Sequence, residues 1–267
     1  MGVLEQILEA KERELAALHT LALPEPPPRR PITLKRASNS PLSLIAEIKR
    51  RSPSAGQLST ALSIGERATC YEKAGASMVS VLCDGAFFDG SFEHLAEARR
   101  ACSLPLLCKE FIIDEIQLKV ARAFGADAVL LIVRCIPEAH LQPLVQAARA
   151  LGLEPLVEVC TEPEAALALA SGAQLIGVNA RDLDTLQMNP ERARKILAGL
   201  PEERVRIHLS GVATAEEVAA FCQGPADAVL IGEALMRQAD PFELLSSLVE
   251  AAGSAGSAGS AGSAGSL

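Results

Sequence analysis

Between residues 44 and 231, eight short apolar runs alternate with longer segments of helical spacing, and that rhythm leaves few architectures open. The runs are 44–48, 78–82, 106–108, 128–133, 156–159, 175–178, 205–209 and 228–231. Each is too short for a buried helix and several are β-branched, so they read as strands. Segments 92–101, 115–124, 137–151, 162–170, 190–197 and 215–221 carry helical periodicity. Thr161 and Thr214 stand at N-cap positions with acids in the turn that follows. Gly125 and Gly172 stop helices ahead of the next run. Strands that take turns with helices build a parallel sheet, either an open doubly wound sheet or a closed (β/α)8 barrel. An open sheet usually carries a GxGxxG turn after its first strand, and none follows Ile48. The expected fold is therefore α/β, a (β/α)8 TIM barrel with an extra N-terminal helix over 3–18.

The ends are punctuated. Residues 24–31 (PEPPPRRP) stop the opening helix, because proline cannot continue one. From residue 253 the chain repeats Gly, Ser and Ala without charge or bulk, which predicts a flexible, appended tail over 253–267. Residues 1–252 are then one barrel domain.

Composition excludes several functions. The net charge of −8 argues against nucleic acid, whose phosphates demand an excess of Lys and Arg. Aromatic residues are only 3%, too few for base-stacking platforms. No apolar run reaches the roughly 18 residues of a membrane span, and the first ten residues hold glutamates where a secretion signal wants a basic, then apolar, stretch. Seven cysteines without a CxxC pair read as reduced thiols in the cytoplasm. Four scattered histidines supply no metal-ligand spacing, so neither a metal nor a cofactor is expected.

In barrels of this kind the reacting groups lie at the carboxyl ends of the strands. Glu47 and Lys49, two apart at the end of the first strand, project to one side. Opposite charges in an aliphatic run are costly unless paired or used; a structural ion pair is the alternative. Lys109 ends the third strand, Glu158 lies in the fifth, and Asn179 ends the sixth, with Arg181 just beyond. Together they describe an acid–base site for a small anionic substrate. Ser210-Gly211 and Gly232-Glu233 follow the seventh and eighth strands. Barrels often bind phosphate there through backbone N–H groups, although ordinary tight turns would look the same.

The block Leu44-Ile45-Ala46-Glu47-Ile48-Lys49-Arg50-Arg51-Ser52-Pro53-Ser54 resembles the signature of the indole-3-glycerol phosphate synthases of tryptophan biosynthesis. Further blocks agree in order and spacing: Phe88-Asp89-Gly90-Ser91, Lys109-Glu110-Phe111-Ile112-Ile113-Asp114, Leu156-Val157-Glu158-Val159, Asn179-Ala180-Arg181-Asp182-Leu183 and Ile231-Gly232-Glu233-Ala234-Leu235-Met236. The resemblance spans nearly the whole chain before the tail. It implies a carboxy-lyase that closes a ring on a carboxyphenylamino-deoxyribulose phosphate, with loss of carbon dioxide and water. It implies Lys109 as general acid and Lys49 as an anion-holding second lysine. Glu158 would be the dehydration base oriented with Asn179, and Glu47 would tune the lysines. It further implies substrate contacts from Arg181, Ser54, Phe88, Phe111 and Leu131, and phosphate contacts from Ser210, Gly211, Gly232 and Glu233. The expected assembly is a monomer or weak homodimer.

The sequence departs from that pattern. After the seventh strand the family usually has Glu-Ser-Gly; here Leu209-Ser210-Gly211 follows His208. Adjacent in the strand, His208 should face the opposite side and cannot replace the missing carboxylate. Glu110 stands where Asp is usual, and Cys83 and Cys160 where Thr and His are familiar. The competing reading is therefore a degenerate or redesigned barrel that keeps the phosphate turns and has lost or changed the reaction. A Schiff base on Lys109 is a further alternative, against which its charged neighbourhood argues.

Overall fold

The structure, a computed structural model, describes residues 2–37 and 40–257, with the backbone alone for the last three. Eight parallel strands close into a barrel: β1 (Ser43–Ile48), β2 (Met78–Leu82), β3 (Leu106–Lys109), β4 (Ala128–Ile132), β5 (Glu154–Val159), β6 (Leu175–Asn179), β7 (Val205–Leu209) and β8 (Ala228–Ile231). Closure is made by β8 against β1, with Ser43 opposite Ala228 and Ala46 opposite Ile231. All eight expected strands are present. β3 and β6 run one residue further than their apolar stretches, because pairing uses only the backbone and takes in Lys109 and Asn179. Val133 leaves the fourth strand and begins a 3-10 turn, Val133–Cys135.

The expected helices form, and others join them, among them Ile64–Lys73 between β1 and β2. Its Ser63 and Glu66 cap it reciprocally. Thr161 and Thr214 each accept a hydrogen bond from the N–H three residues on. Gly125 and Gly172 take positive φ, as their stop positions require. The last helix, Phe242–Ser257, crosses the expected boundary at residue 253: its first turns pack against β1 and the helix Ala215–Cys222, and the small residues at 253–257 extend it. The remainder of the expected tail, 258–267, lies outside the described residues.

The N-terminal helix α1 (Val3–Thr20) lies at the carboxyl-end mouth. There it packs against the helix Glu115–Ala123 and the short helix Gly85–Phe88. The proline strap then carries the chain to the opposite end. Arg30 N–H meets Asp127 just before β4, and Lys35 and Arg36 meet Asp227 just before β8. Aliphatic side chains fill the core, and Gly177 makes room inside the barrel: a Cβ there would come within 2.8 Å of both Leu156 and Leu209.

Candidate active site

Glu47 and Lys49 do share one side of β1. Their charges meet at 2.9 Å between Nζ and Oε1. Gly232, after β8, lies so close that a Cβ would stand 2.5 Å from Glu47 Oε1. The eighth turn therefore needs glycine for Glu47 to keep its place. Burial would raise the Glu47 pKa, but the Lys49 and Lys109 ammoniums outweigh it and hold the carboxyl below its ordinary value.

Across the barrel, Lys109 Nζ faces Glu158 Oε2 at 3.5 Å. Glu158 is buried, and its other oxygen, Oε1, accepts from Asn179 Nδ2 at 2.9 Å. Asn179 Oδ1 in turn accepts the Arg181 N–H at 2.9 Å, so the amide is locked with its donor toward Glu158. Oε2 of Glu158 carries no hydrogen bond. A buried carboxylate oxygen left open toward a lysine is an acceptor waiting for a partner. Burial opposes the Lys109 charge, yet Glu158 and Glu47 together raise its pKa above the ordinary lysine value. Lys109 is therefore an ammonium at neutral pH, a proton donor rather than an amine nucleophile.

Glu47, Lys49, Ser54, Phe88, Lys109, Phe111, Glu158, Asn179, Arg181 and Ser210 all line one cavity at the mouth. The rings of Phe88 and Phe111 sit 5.9 Å apart and form one wall. Leu131 does not join them. β4 pairs Ile132 with Glu158 and Leu131 with Val157. Since Glu158 faces the cavity, so do Ile132 and Leu130, while Leu131 is fully buried on the other face of the sheet. The sequence-based assignment of Leu131 was thus one residue out of phase. Sequence reasoning also missed the roof: Val3, Leu4 and Ile7 of α1 close over the cavity. The signal available was the apolar stripe of α1, which identifies a packed face without saying where it docks.

Beside the main cavity, Gly211, Gly232 and Glu233 line an adjoining depression that shares Ser54, Arg181 and Ser210 with it. Ser210 and Gly211 both take positive φ, 70° and 83°; for serine that left-handed backbone is strained. His208 Nε2 lies 2.9 Å from the Ser210 carbonyl and holds the turn. The Glu233 carboxylate pairs with Arg237 at 2.7 Å, and both residues line the depression.

As expected from the alternation, His208 faces outward, against the Phe221 ring at 4.3 Å. Burial, with Arg194 nearby, lowers its pKa to about 4 despite the hydrogen bond to Ser210, so it is neutral. Leu209 lines the same cavity as an apolar residue. Among the described residues, no three His, Cys, Asp or Glu side chains gather as a metal-binding group.

Fold and site together define the class: a (β/α)8-barrel enzyme whose titratable groups meet at the carboxyl-end mouth. The profile of the indole-3-glycerol phosphate synthase family matches residues 3–248, and the chain belongs to that family. A synthase of this name from Exiguobacterium is 40% identical, covering 93% of this chain and 96% of its own. The one from Mycobacterium ulcerans is 41% identical over 93% and 94%, and the one from Nocardioides 43% over 90% and 95%. Among solved structures, 3-hexulose-6-phosphate synthase from Salmonella typhimurium matches with a TM-score of 0.64 at 14% identity, covering 79% of this chain and 98% of its own. Thiamine phosphate pyrophosphorylase from Pyrococcus furiosus gives 0.61 at 17%, over 80% and 96%. At such identities these two share the fold.

Proposed function

We propose that this enzyme converts 1-(2-carboxyphenylamino)-1-deoxyribulose 5-phosphate into indole-3-glycerol phosphate, the ring-closing step of tryptophan biosynthesis, with the following division of labour. Lys109 donates a proton to the ketone oxygen as the carboxyl-bearing aromatic carbon attacks the ketone carbon. The new ring then loses carbon dioxide, and the electron pair left behind restores aromaticity. Loss of the hydroxyl as water needs an acid and a base; Glu158, oriented by Asn179, removes the ring proton, and the Lys49 ammonium protonates the departing hydroxyl. Lys49 holds the anionic groups of the substrate, and Glu47 keeps both lysines charged. Phe88 and Phe111 hold the aromatic ring. Arg181 and Ser54 stand between the ring wall and the turns Ser210-Gly211 and Gly232-Glu233, which take the phosphate through backbone N–H groups.

The observation that carries this reading is the Lys109–Glu158–Asn179 relay, an ammonium and an open carboxylate oxygen facing one cavity. The family's membership and the order of the matching blocks support it. All seven cysteines are free thiols, in keeping with a reducing cytoplasm. The direct test is fluorescence detection of indole-3-glycerol phosphate from the open-chain substrate with purified protein. Turnover is expected. Binding of inorganic phosphate without turnover would instead favour the degenerate barrel. A bound phosphate elsewhere in the mouth, with the two glycine turns empty, would overturn the phosphate assignment.

A further inference from the structure

Lys11 sits in the middle of the apolar stripe of α1 and is 2% exposed. Its ammonium is 2.8 Å from Asp84 Oδ2, 3.0 Å from Glu110 Oε1 and 2.7 Å from Glu14 Oε2. Asp84 and Glu110 are themselves buried. Each carboxylate also holds the backbone of one aromatic wall residue. Asp84 Oδ1 caps the short helix Gly85–Phe88 by accepting the Phe87 and Phe88 N–H groups at 2.7 and 3.2 Å. Glu110 Oε1 accepts the Phe111 N–H at 2.8 Å. One and two turns of helix away from Lys11, Ile7 and Leu4 face the cavity. A single buried cation thus ties together the roof and both halves of the ring wall.

We propose that Lys11 is a positioning residue for the aromatic-ring pocket. By neutralising Asp84 and Glu110 together, it fixes the spacing of Phe88 and Phe111 and seats α1 over them. Two carboxylates cannot both stay charged in a buried space without a cation between them. Without Lys11, Glu110 takes up a proton or one of the two turns moves, and either way the tie between α1 and the ring wall is lost. Burial, with the Asp84 carboxylate close by, raises the Glu110 pKa to about 7 in spite of Lys11, so this pair is hard to charge together even with the cation in place. Lys109 and Glu158 are held separately by β3, β5 and Asn179. The clamp therefore acts on binding of the ring rather than on proton transfer. This inference rests on the proposed reaction for its kinetic readout but not for its structural one.

The test uses Lys11→Met in the full chain. Hydrogen exchange without substrate is expected to accelerate at the Phe87, Phe88 and Phe111 amides together. KM should rise roughly five- to tenfold with kcat little changed, the signature of lost ring contacts. Lys11→Arg, which keeps the charge, should restore KM to within about twofold of the starting protein. Should Lys11→Met fail to fold, Glu110→Gln carries the test. It leaves the Lys11–Asp84 pair in place and should loosen the Phe111 amide alone, with KM up about threefold. Unchanged protection at these amides, an unchanged KM, or a fall confined to kcat would overturn the proposal. If the starting protein shows no turnover, the assigned reaction fails, while the exchange experiment still decides on the clamp.

Discussion

The two ends of the barrel handle buried charge in opposite ways. At the base, Asp127 accepts from Arg30 N–H, Arg99 Nη1 and Leu106 N–H at 2.6 to 2.9 Å, so both oxygens are occupied. Asp227 is likewise filled by Lys35, the Arg36 N–H and the Arg206 N–H. At the mouth, Glu158 Oε2 has no hydrogen bond and faces an ammonium 3.5 Å away. Buried carboxylates with full shells fasten the proline strap to the strands. Glu158, with one oxygen open, lines the cavity. An open oxygen does not by itself mark a reactive group, since Asp84 Oδ2 also lacks a hydrogen bond yet rests against the Lys11 ammonium; in Glu158 the open oxygen coincides with a place in the cavity wall.

The contrast can be broken from either side. Lys109→Met should lower turnover about 10²- to 10⁴-fold, the usual contribution of a general acid, with a nearly unchanged circular dichroism spectrum. Asp127→Ala should do the reverse. Removing one partner of a buried pair costs about 3–5 kcal/mol, visible in urea denaturation, while the folded enzyme keeps its kcat. If the two variants fall alike in rate and stability, the division between the ends is wrong.

A sharper test concerns His208, a mouth residue facing outward. Its folded pKa, about 4, lies below the unfolded value of 6.5. The unfolded chain therefore takes up a proton first on acidification. The stability tied to neutral His208 is fully present above pH 6.5 and is lost as pH falls toward 4, by up to about 3 kcal/mol. His208→Gln keeps a donor for the Ser210 carbonyl and cannot titrate. The difference between the two proteins' unfolding free energies, measured from pH 7 to pH 4, should show that slope; parallel curves would remove the claim.

The smallest effect on rate is expected from Leu209→Glu. Glu47, Glu158 and both lysines already face each other, so restoring the family's usual carboxylate should bring no gain in turnover. Placing a carboxylate where Leu209 now packs over Gly177 should cost about 1–3 kcal/mol of stability. A large gain in rate would show that the chain is a weakened synthase and that its apolar spot is a defect.

Much of the site was legible because each strand end is a local event. Glu47, Lys49, Lys109, Glu158 and Asn179 interrupt apolar runs, and a charge inside such a run must be paired or used. Leu131 shows the limit. The run 128–133 is apolar on both faces, so no polar residue marks which set points inward, and only the pairing of Ile132 with Glu158 fixes the phase. The end of the last helix was illegible for another reason: Gly and Ser are poor helix formers, but a helix already anchored by packing runs on to Ser257.

The sequence by itself determined the barrel and the order of its strands, because both follow from short-range periodicity and the fixed hand of strand–helix–strand units. Tertiary structure alone decided that α1 roofs the mouth, that Lys11 meets Asp84 and Glu110, and that His208 holds the Ser210 turn. Lys11 and its two carboxylate partners are separated by some seventy and one hundred positions. No local pattern couples residues so far apart; they meet because a buried cation has to find carboxylates where the folded chain brings them.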